Sequence, residues 1–247
     1  MRIPVQETLN AFVRDFGGEI VGEIIPNINP RRNADYLFRA RRIVAELKCV
    51  ERDGFTLQDR QNLTALLRDL SRRGHLPRVL GTTTIGLREL PPICQREWLG
   101  LLKAPWKRKL SDAAQQIKQT KSLLGLSDAR GLLLLVNEGR NWLTPPDAMN
   151  LIHLVLQSRK EDGSPVFSGI EWIVYFSVNG PTDKMGREVN FWFPAYRAKQ
   201  DDEAHQFLDE LRTAWFNYHG ALRATRIQIT KMPSPNGGKN PADHCDP

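Results

Sequence analysis

Two carboxylates and one lysine have the types and the spacing that metal-dependent chemistry would need. Asp35 precedes the short apolar run 36–38, and Glu46 and Lys48 lie within the apolar stretch 43–50. A charged side chain inside an apolar strand costs free energy unless another group compensates its charge. A divalent cation held by both carboxylates is one such compensation. The pattern therefore predicts a metal site of the kind that hydrolyses phosphodiester bonds.

Two consecutive strands are the elements that must position these side chains. The two apolar runs predict strands separated by a polar break. Because side chains alternate across a strand, Glu46 and Lys48 share one face of the second strand. Antiparallel pairing would then bring Asp35 beside Glu46. The alternative is a structural ion pair, in which Glu46 and Lys48 neutralise each other and Asp35 only begins a strand.

The remaining elements follow from the spacing of apolar residues and from the residues that start or stop helices. Helices are predicted at 4–16, from Thr56 to Gly74, from Ser111-Asp112 to about 125, from Thr144 to about 158 and at 201–218. Further strands are predicted at 19–25, 131–136, 170–178 and 189–193. Segment 75–110 is interpreted as an insertion with short helices inside one domain, 1–231, and 232–247 as a disordered tail.

Composition points to a polyanionic partner. The chain has 247 residues, with 35 Lys and Arg against 28 Asp and Glu, which gives a formal charge of +7. No apolar run approaches the roughly 18 residues that a membrane span needs. Three widely spaced cysteines, Cys49, Cys94 and Cys245, argue against a disulfide framework or a zinc cluster and favour a reducing cytoplasm. The loop 81–86 lacks the Lys-Ser/Thr of a nucleotide-binding loop.

The predicted order of helix, three strands, helix and a further buried strand resembles the core of the restriction-endonuclease-like superfamily, the PD-(D/E)xK nucleases. Asp35 corresponds to the acidic residue of the second strand, and Glu46-Leu47-Lys48 corresponds to (D/E)xK. The usual proline before the aspartate is absent, since Ala34 stands there. The resemblance implies an α/β fold with an αβββαβ core, a mixed central sheet flanked by helices, an inserted segment and C-terminal additions.

The resemblance also implies a role for each motif residue. Mg²⁺, for which Mn²⁺ could substitute, would take carboxylate oxygens from Asp35 and Glu46 and a backbone carbonyl near Leu47. Lys48 would orient the attacking water or stabilise charge that develops on the phosphate. Each of these roles is an expectation that the positions of the residues in the structure can be compared with.

Further site residues are implied by the same resemblance. Members often add an acid from the first helix, for which Glu7 is the candidate, and Glu23 on the first strand competes with it. Gln116 and Lys118, on the helix before the buried strand 131–136, are candidates to face the site. A solvated helix face is the alternative for Glu7, Gln116 and Lys118.

Basic residues flank the motif strands and predict a phosphate-binding groove. They are Arg31, Arg32, Arg41 and Arg42. The chain is therefore expected to be a Mg²⁺-dependent nuclease, with DNA favoured over RNA, acting as a homodimer or within a larger defence or repair assembly. The alternative functions are a catalytically silent nucleic-acid-binding module and a structural or interaction protein with the same fold.

Overall fold

A six-stranded mixed sheet with helices on both faces organises the chain. The computed structural model describes residues 2–25, 33–51, 57–76, 91–138, 144–180, 190–197 and 202–230. The helices are α1 (Val5–Asp15), α2 (Val21–Ile24), α3 (Leu57–Arg72), α4 (Pro92–Leu123), α5 (Pro145–Leu156) and α6 (Asp202–Thr230). The strands are β1 (Glu19–Ile20), β2 (Tyr36–Phe38), β3 (Ile43–Glu51), β4 (Arg130–Glu138), β5 (Trp172–Ser177) and β6 (Trp192–Tyr196).

Strand order in the sheet follows the order of the chain, from β1 to β6. The first three strands are antiparallel neighbours, β3, β4 and β5 are parallel, and β6 closes the sheet antiparallel to β5. The described helices α3 and α4 lie in the crossover from β3 to β4. Strand β4 carries the continuous apolar run that is typical of a parallel strand buried on both faces. The prediction of an α/β fold with a mixed sheet flanked by helices is confirmed.

Each face of the sheet carries its own hydrophobic core. Val44 and Leu133 belong to the core that α4 and α5 cover. Ala45 and Leu47 belong to the opposite core, which α1 and α6 cover. This alternation along β3 places the side chains of even-numbered residues 44 to 48 on the α4 face, as expected from the strand period of two.

Several predicted elements are confirmed close to their predicted bounds, namely α1, β2, β3, α3, β4 and α5. At the start of α5 the Thr144 hydroxyl accepts a hydrogen bond from the Asp147 backbone N–H at 3.3 Å. Prolines occupy the first turn, where the missing N–H has no helical partner to lose. The start signal in the sequence is thus the one that the structure uses.

The prediction of a strand over 19–25 is wrong beyond its first two residues. The chain pairs with β2 only at Glu19 and Ile20 and then forms the helical turn α2. Val21 is fully buried, and Ile24, three residues later, packs against the same core. A spacing of three places both side chains on one side of a helical turn, so burial selects the helix.

The predicted helix start at Ser111-Asp112 is also wrong, because α4 is one continuous helix from Pro92. Pro105 led to the expectation of short helices, since an internal proline removes a hydrogen bond and costs about 3 kcal/mol. In α4 Pro105 is buried beside Leu102 and Trp106, and the Trp106 ring packs edge-on against Tyr175 at 6.1 Å. Burial of these apolar side chains offsets the cost. The rest of the proposed insertion, 77–90, lies outside the described residues.

The C-terminal elements differ from their predicted bounds. Strand β6 runs through Pro194 rather than ending at residue 193, which is tolerated because β6 is an edge strand. Helix α6 continues twelve residues beyond the predicted end at 218. The tail 232–247 lies outside the described residues, as does the loop 81–86. Among the described helices, none has the length and apolar character needed to cross a membrane.

Candidate metal centre

The sheet register places Asp35 directly opposite Glu46. Tyr36 pairs with Ala45 in the antiparallel β2–β3 ladder, so the next pair in register joins Asp35 to Glu46. Residues that face each other in this way have Cβ atoms about 5 Å apart. The expected meeting of the two carboxylates on adjacent strands is what the structure shows.

Both carboxylates are withdrawn from solvent. The Glu46 side chain is 2% exposed, and Asp35 accepts a hydrogen bond from the Leu47 backbone N–H at 2.9 Å. Glu46 Oε1 accepts a hydrogen bond from Lys48 Nζ at 2.6 Å. Glu46 Oε2 is buried and receives no hydrogen bond from the described part of the chain. The free-energy cost of burying this oxygen would be offset by a proton shared with Asp35 or by a cation bound between the two carboxylates.

The electrostatics of the pair favour one proton on Glu46 when no cation is bound. Burial and, to a smaller extent, the adjacent Asp35 charge together raise the pKa of Glu46 to about 8, against the opposing effect of the Lys48 ammonium. Burial also raises the pKa of Asp35, which the Leu47 N–H partly counteracts. Two buried carboxylates cannot both ionise at low cost, so the pair titrates as a unit.

Lys48 links the carboxylates to helix α4. Its ammonium donates to Glu46 Oε1 and to Gln116 Oε1, both at 2.6 Å. The Lys48 side chain keeps 22% exposure, whereas Gln116 is 7% exposed. The interpretation of Gln116 as part of a solvated face is therefore wrong, because its amide is buried and fixes the lysine at the site.

Helix α4 also fixes the residues that lead into β2. The Gln116 amide donates to the Asn33 carbonyl at 3.2 Å, and the Ala34 N–H donates to the Thr120 hydroxyl at 2.8 Å. Residues 116 and 120 are one helical turn apart and so face the same neighbour. Thr120, which sequence reasoning missed, thus helps to fix the backbone that presents Asp35.

The Leu47 backbone faces Asp35. Its N–H donates to Asp35 Oδ2, and in an extended strand the N–H and C=O of one residue point to the same side. The Leu47 carbonyl therefore points to the edge of β3 where Asp35 lies. Within the described ranges, the β2–β3 ladder ends at Ala45, so no β2 residue pairs with Leu47.

The residues present fit a hard divalent cation. Two carboxylates and the Leu47 carbonyl are oxygen ligands, and magnesium keeps several waters and rarely needs a complete protein cage. Across the described residues there is no cluster of three or more His, Cys, Asp or Glu side chains. A magnesium-type site with two acids fits this arrangement better than a zinc-type site does.

Neither additional acid is brought to the pair. Glu7 is exposed on α1, whose buried side chains join the core opposite the Glu46 face. Glu23 forms an ion pair with Arg14 on the surface. Within the described ranges, no recorded contact joins either glutamate to Asp35 or Glu46.

Arg41 and Arg42 form exposed ion pairs with acids in the structure. Arg41 pairs with Glu210 at 2.7 Å, and Arg42 pairs with Asp128. Arg42 also precedes Glu46 by four residues, about 13 Å along an extended strand. Both guanidinium groups thus have local acidic partners at the far end of β3, and their assignment to phosphate binding stays a prediction. Arg31 and Arg32 lie outside the described residues.

Two lysines of α4 have different surroundings. Lys118 is exposed, as the solvated-face alternative predicts, and lies against Gly169, away from the side of α4 that carries Gln116. Lys109 donates to the Cys49 carbonyl at 2.8 Å, two residues beyond Leu47 on the same edge of β3. Nothing in the spacing of Lys109 along the sequence indicates that the crossover helix passes over this edge.

Comparison with protein-family models, curated proteins and solved structures gives no significant match to this chain. Function is therefore inferred from the residues and their geometry.

Proposed function

We propose that this protein is a Mg²⁺-dependent nuclease, with DNA as the first candidate substrate. The observation that carries the proposal is the carboxylate pair of buried Glu46 and half-buried Asp35, with the Lys48 ammonium hydrogen-bonded to Glu46. A purely structural ion pair would need one carboxylate for one ammonium. Here a second, half-buried acid lies beside the pair, which is costly unless a further cation binds.

Each side chain has a role that its contacts support. Asp35 and Glu46 would hold the ion through carboxylate oxygens, and the Leu47 carbonyl points to the same edge. When bound, Mg²⁺ polarises a phosphoryl oxygen and lowers the pKa of the attacking water. Lys48 is more exposed than Glu46 and Gln116 and would stabilise charge that develops on the phosphate. Gln116 is a positioning residue, since it contacts Lys48 and acts through it.

The order of elements supports the resemblance to the PD-(D/E)xK superfamily. An α-helix, three antiparallel strands, a helical crossover and a parallel strand follow one another, with the acids at the start of the second strand and on the third. Apart from the helical turn α2 between β1 and β2, this order agrees with the αβββαβ core that the resemblance implies, and it supports the proposal. The basic net charge of +7 suits a phosphodiester substrate.

A cleavage assay on the full chain tests the proposal. We expect labelled DNA to be cut in Mg²⁺ or Mn²⁺ but not in EDTA, and Asp35→Asn to abolish cutting while binding in Ca²⁺ persists. Duplex DNA, single-stranded DNA and RNA are compared in parallel. A wild-type protein that binds nucleic acid but cuts none of the three would overturn the nuclease proposal in favour of a silent binding module.

A further inference from the structure

A second charged cluster surrounds the turn 167–171, on the other side of α4 from Gln116. Lys118 lies against Gly169, with its Cγ 3.0 Å from where a Cβ on that glycine would stand. Arg197 donates to the carbonyls of Phe167 and Ser168. Lys121 contacts Glu171 in the same turn. The backbone of Arg159 pairs with Pro165 in an isolated β-bridge just before the turn. We call Lys118, Lys121, Arg159 and Arg197 the turn cluster, because each lies at or beside this turn.

Positive charge is in excess within the turn cluster. Glu171 is the acid recorded in contact with it among the described residues, and its Oε2 is already engaged by the Gly131 backbone N–H. The separation of that oxygen from Lys121 Nζ is 3.5 Å, at the outer limit of a hydrogen bond. Among the described residues, the turn thus brings four cations near one carboxylate, which contacts Lys121 and is shared with the backbone.

Two of the four cations are withdrawn from water. The Lys121 side chain is 10% exposed, and Arg197 Nε is buried with no hydrogen-bond partner in the described part of the chain. Burial lowers the pKa of Lys121 and of Arg197, and the Glu171 carboxylate opposes both shifts. Arg197 and Lys118 add to the lowering for Lys121, and Arg159 adds to it for Arg197. Burying like charges together is unfavourable unless an anion compensates them.

We propose that the turn cluster is a phosphate-binding site, separate from the Asp35–Glu46 centre. Arg197 and Lys121 supply the buried donors, and Lys118 and Arg159 supply exposed cations at its rim. A guanidinium and an ammonium beside each other suit a tetrahedral oxyanion, which accepts several charge-assisted hydrogen bonds. The anion is either free phosphate or a backbone phosphate of nucleic acid, and only the second source rests on the proposed nuclease function.

The first test measures binding of inorganic phosphate to the full chain in EDTA, where no metal chemistry contributes. Phosphate is expected to raise the melting temperature relative to chloride at equal ionic strength. Lys118→Ala and Arg159→Ala each weaken phosphate binding by about three- to tenfold, because each removes a cation from the rim. Both residues are exposed, so neither substitution leaves a cavity in the hydrophobic core.

Lys107→Ala is the matched control. Lys107 is an exposed lysine of the same helix, eleven residues from Lys118 and hence about 16 Å along the axis. Its removal changes the net charge equally and should leave phosphate binding unchanged. Absence of phosphate protection in the wild type, or equal loss in Lys107→Ala and Lys118→Ala, would overturn the proposal.

The second test separates the two sources of phosphate. Binding of labelled duplex DNA in Ca²⁺ is titrated against salt for the wild type and Lys118→Ala. A backbone phosphate in the site predicts a slope of log affinity against log salt that is smaller by about 0.9 in the variant. An unchanged slope, with phosphate protection lost in the first test, assigns the site to free phosphate. Neither outcome depends on whether Asp35 and Glu46 support cleavage.

Discussion

The Asp35–Glu46 pair and the turn cluster lie on two sides of α4 and group side chains of opposite charge. On the side of Gln116, a buried and a half-buried carboxylate lie beside a single ammonium, and one proton is retained on Glu46. On the side of Lys118, four cations lie near one carboxylate, which contacts Lys121.

The comparison shows that the net charge of this protein does not indicate where its available charges lie. A formal charge of +7 predicts a basic surface, yet Arg41 and Arg42 near the motif strands are neutralised by acids. Within the described residues, the Asp35–Glu46 pair and the turn cluster each bring charges of one sign close together. One suits a divalent cation and the other suits an anion, which are the two components of a phosphodiester bound with its metal.

The largest expected effect is on the acidic side. Asp35→Asn and Glu46→Gln each remove a metal-ligating charge and should lower the rate of Mg²⁺-dependent DNA cleavage by about a thousandfold or more. The rate is measured under single-turnover conditions. Glu19→Gln is the control, since Glu19 forms an ion pair with Arg39 on the surface. A loss of similar size in Glu19→Gln would mean that the acidic site has been misplaced.

Substitutions of Lys48 and Gln116 distinguish a residue that acts on the phosphate from a residue that positions another side chain. Lys48→Ala should lower kcat by about a hundredfold, because it removes charge stabilisation next to the phosphate. Gln116→Met keeps the volume but removes the hydrogen bond to Lys48, and we expect a loss of about tenfold in kcat. Mn²⁺ affinity and KM should change little in Gln116→Met. A variant that loses metal affinity and kcat together would instead show that Gln116 supports the fold of the site.

The pH dependence of stability tests the proton on Glu46. Its pKa rises to about 8 in the folded protein from 4.5 in the unfolded chain, so the folded state binds more protons between these values. The free energy of unfolding should therefore decrease as pH rises from 5 to 8 and level off above, which chemical denaturation measures. Glu46→Gln should flatten this dependence. Stability that rises with pH over this range would contradict the shared proton.

Mg²⁺ should reverse that loss of stability. Because the ion competes with the proton, its stabilising effect is expected to be larger at pH 8.5 than at pH 6. Melting temperatures with and without 10 mM-scale Mg²⁺ at the two values measure the difference. An equal shift at both pH values would place the ion away from Glu46.

The smallest expected effects concern Arg41 and Arg42. Their ion pairs are exposed, so alanine substitution should change the free energy of unfolding by less than about 1 kcal/mol. The salt dependence of DNA binding should also stay unchanged, whereas Lys118→Ala lowers it. A reduced salt slope in Arg41→Ala or Arg42→Ala would restore the groove predicted from the sequence.

The site could be predicted from the sequence where local rules determine it. The strand period of two places Glu46 and Lys48 on one face, and the short break after β2 sets the register that opposes Asp35 to Glu46. The partners of these residues could be predicted only in part. The sequence offers Gln116 and Lys118 as equal candidates. Gln116, Thr120 and Lys109 reach this part of β3 because α4 packs on this face of the sheet, and tertiary contacts such as those of the buried Trp106 decide that packing.

The basic residues were harder to place for a similar reason. Nothing in the sequence near Arg42 indicates that Asp128, 86 positions later, neutralises it. Arg197 and Lys121 come together through the turn 167–171, which joins distant parts of the chain. Long-range ion pairs leave no periodic signal, so charge runs in a sequence do not indicate which cations remain available.

Calorimetric titration of Mn²⁺ into the full chain tests most directly whether Asp35 and Glu46 hold a metal ion. The wild type is predicted to bind at least one ion per chain at pH 8, with affinity lost in Asp35→Asn and Glu46→Gln and retained in Glu19→Gln. Failure of the wild type to bind Mn²⁺, or binding that persists in both site variants, would contradict the account.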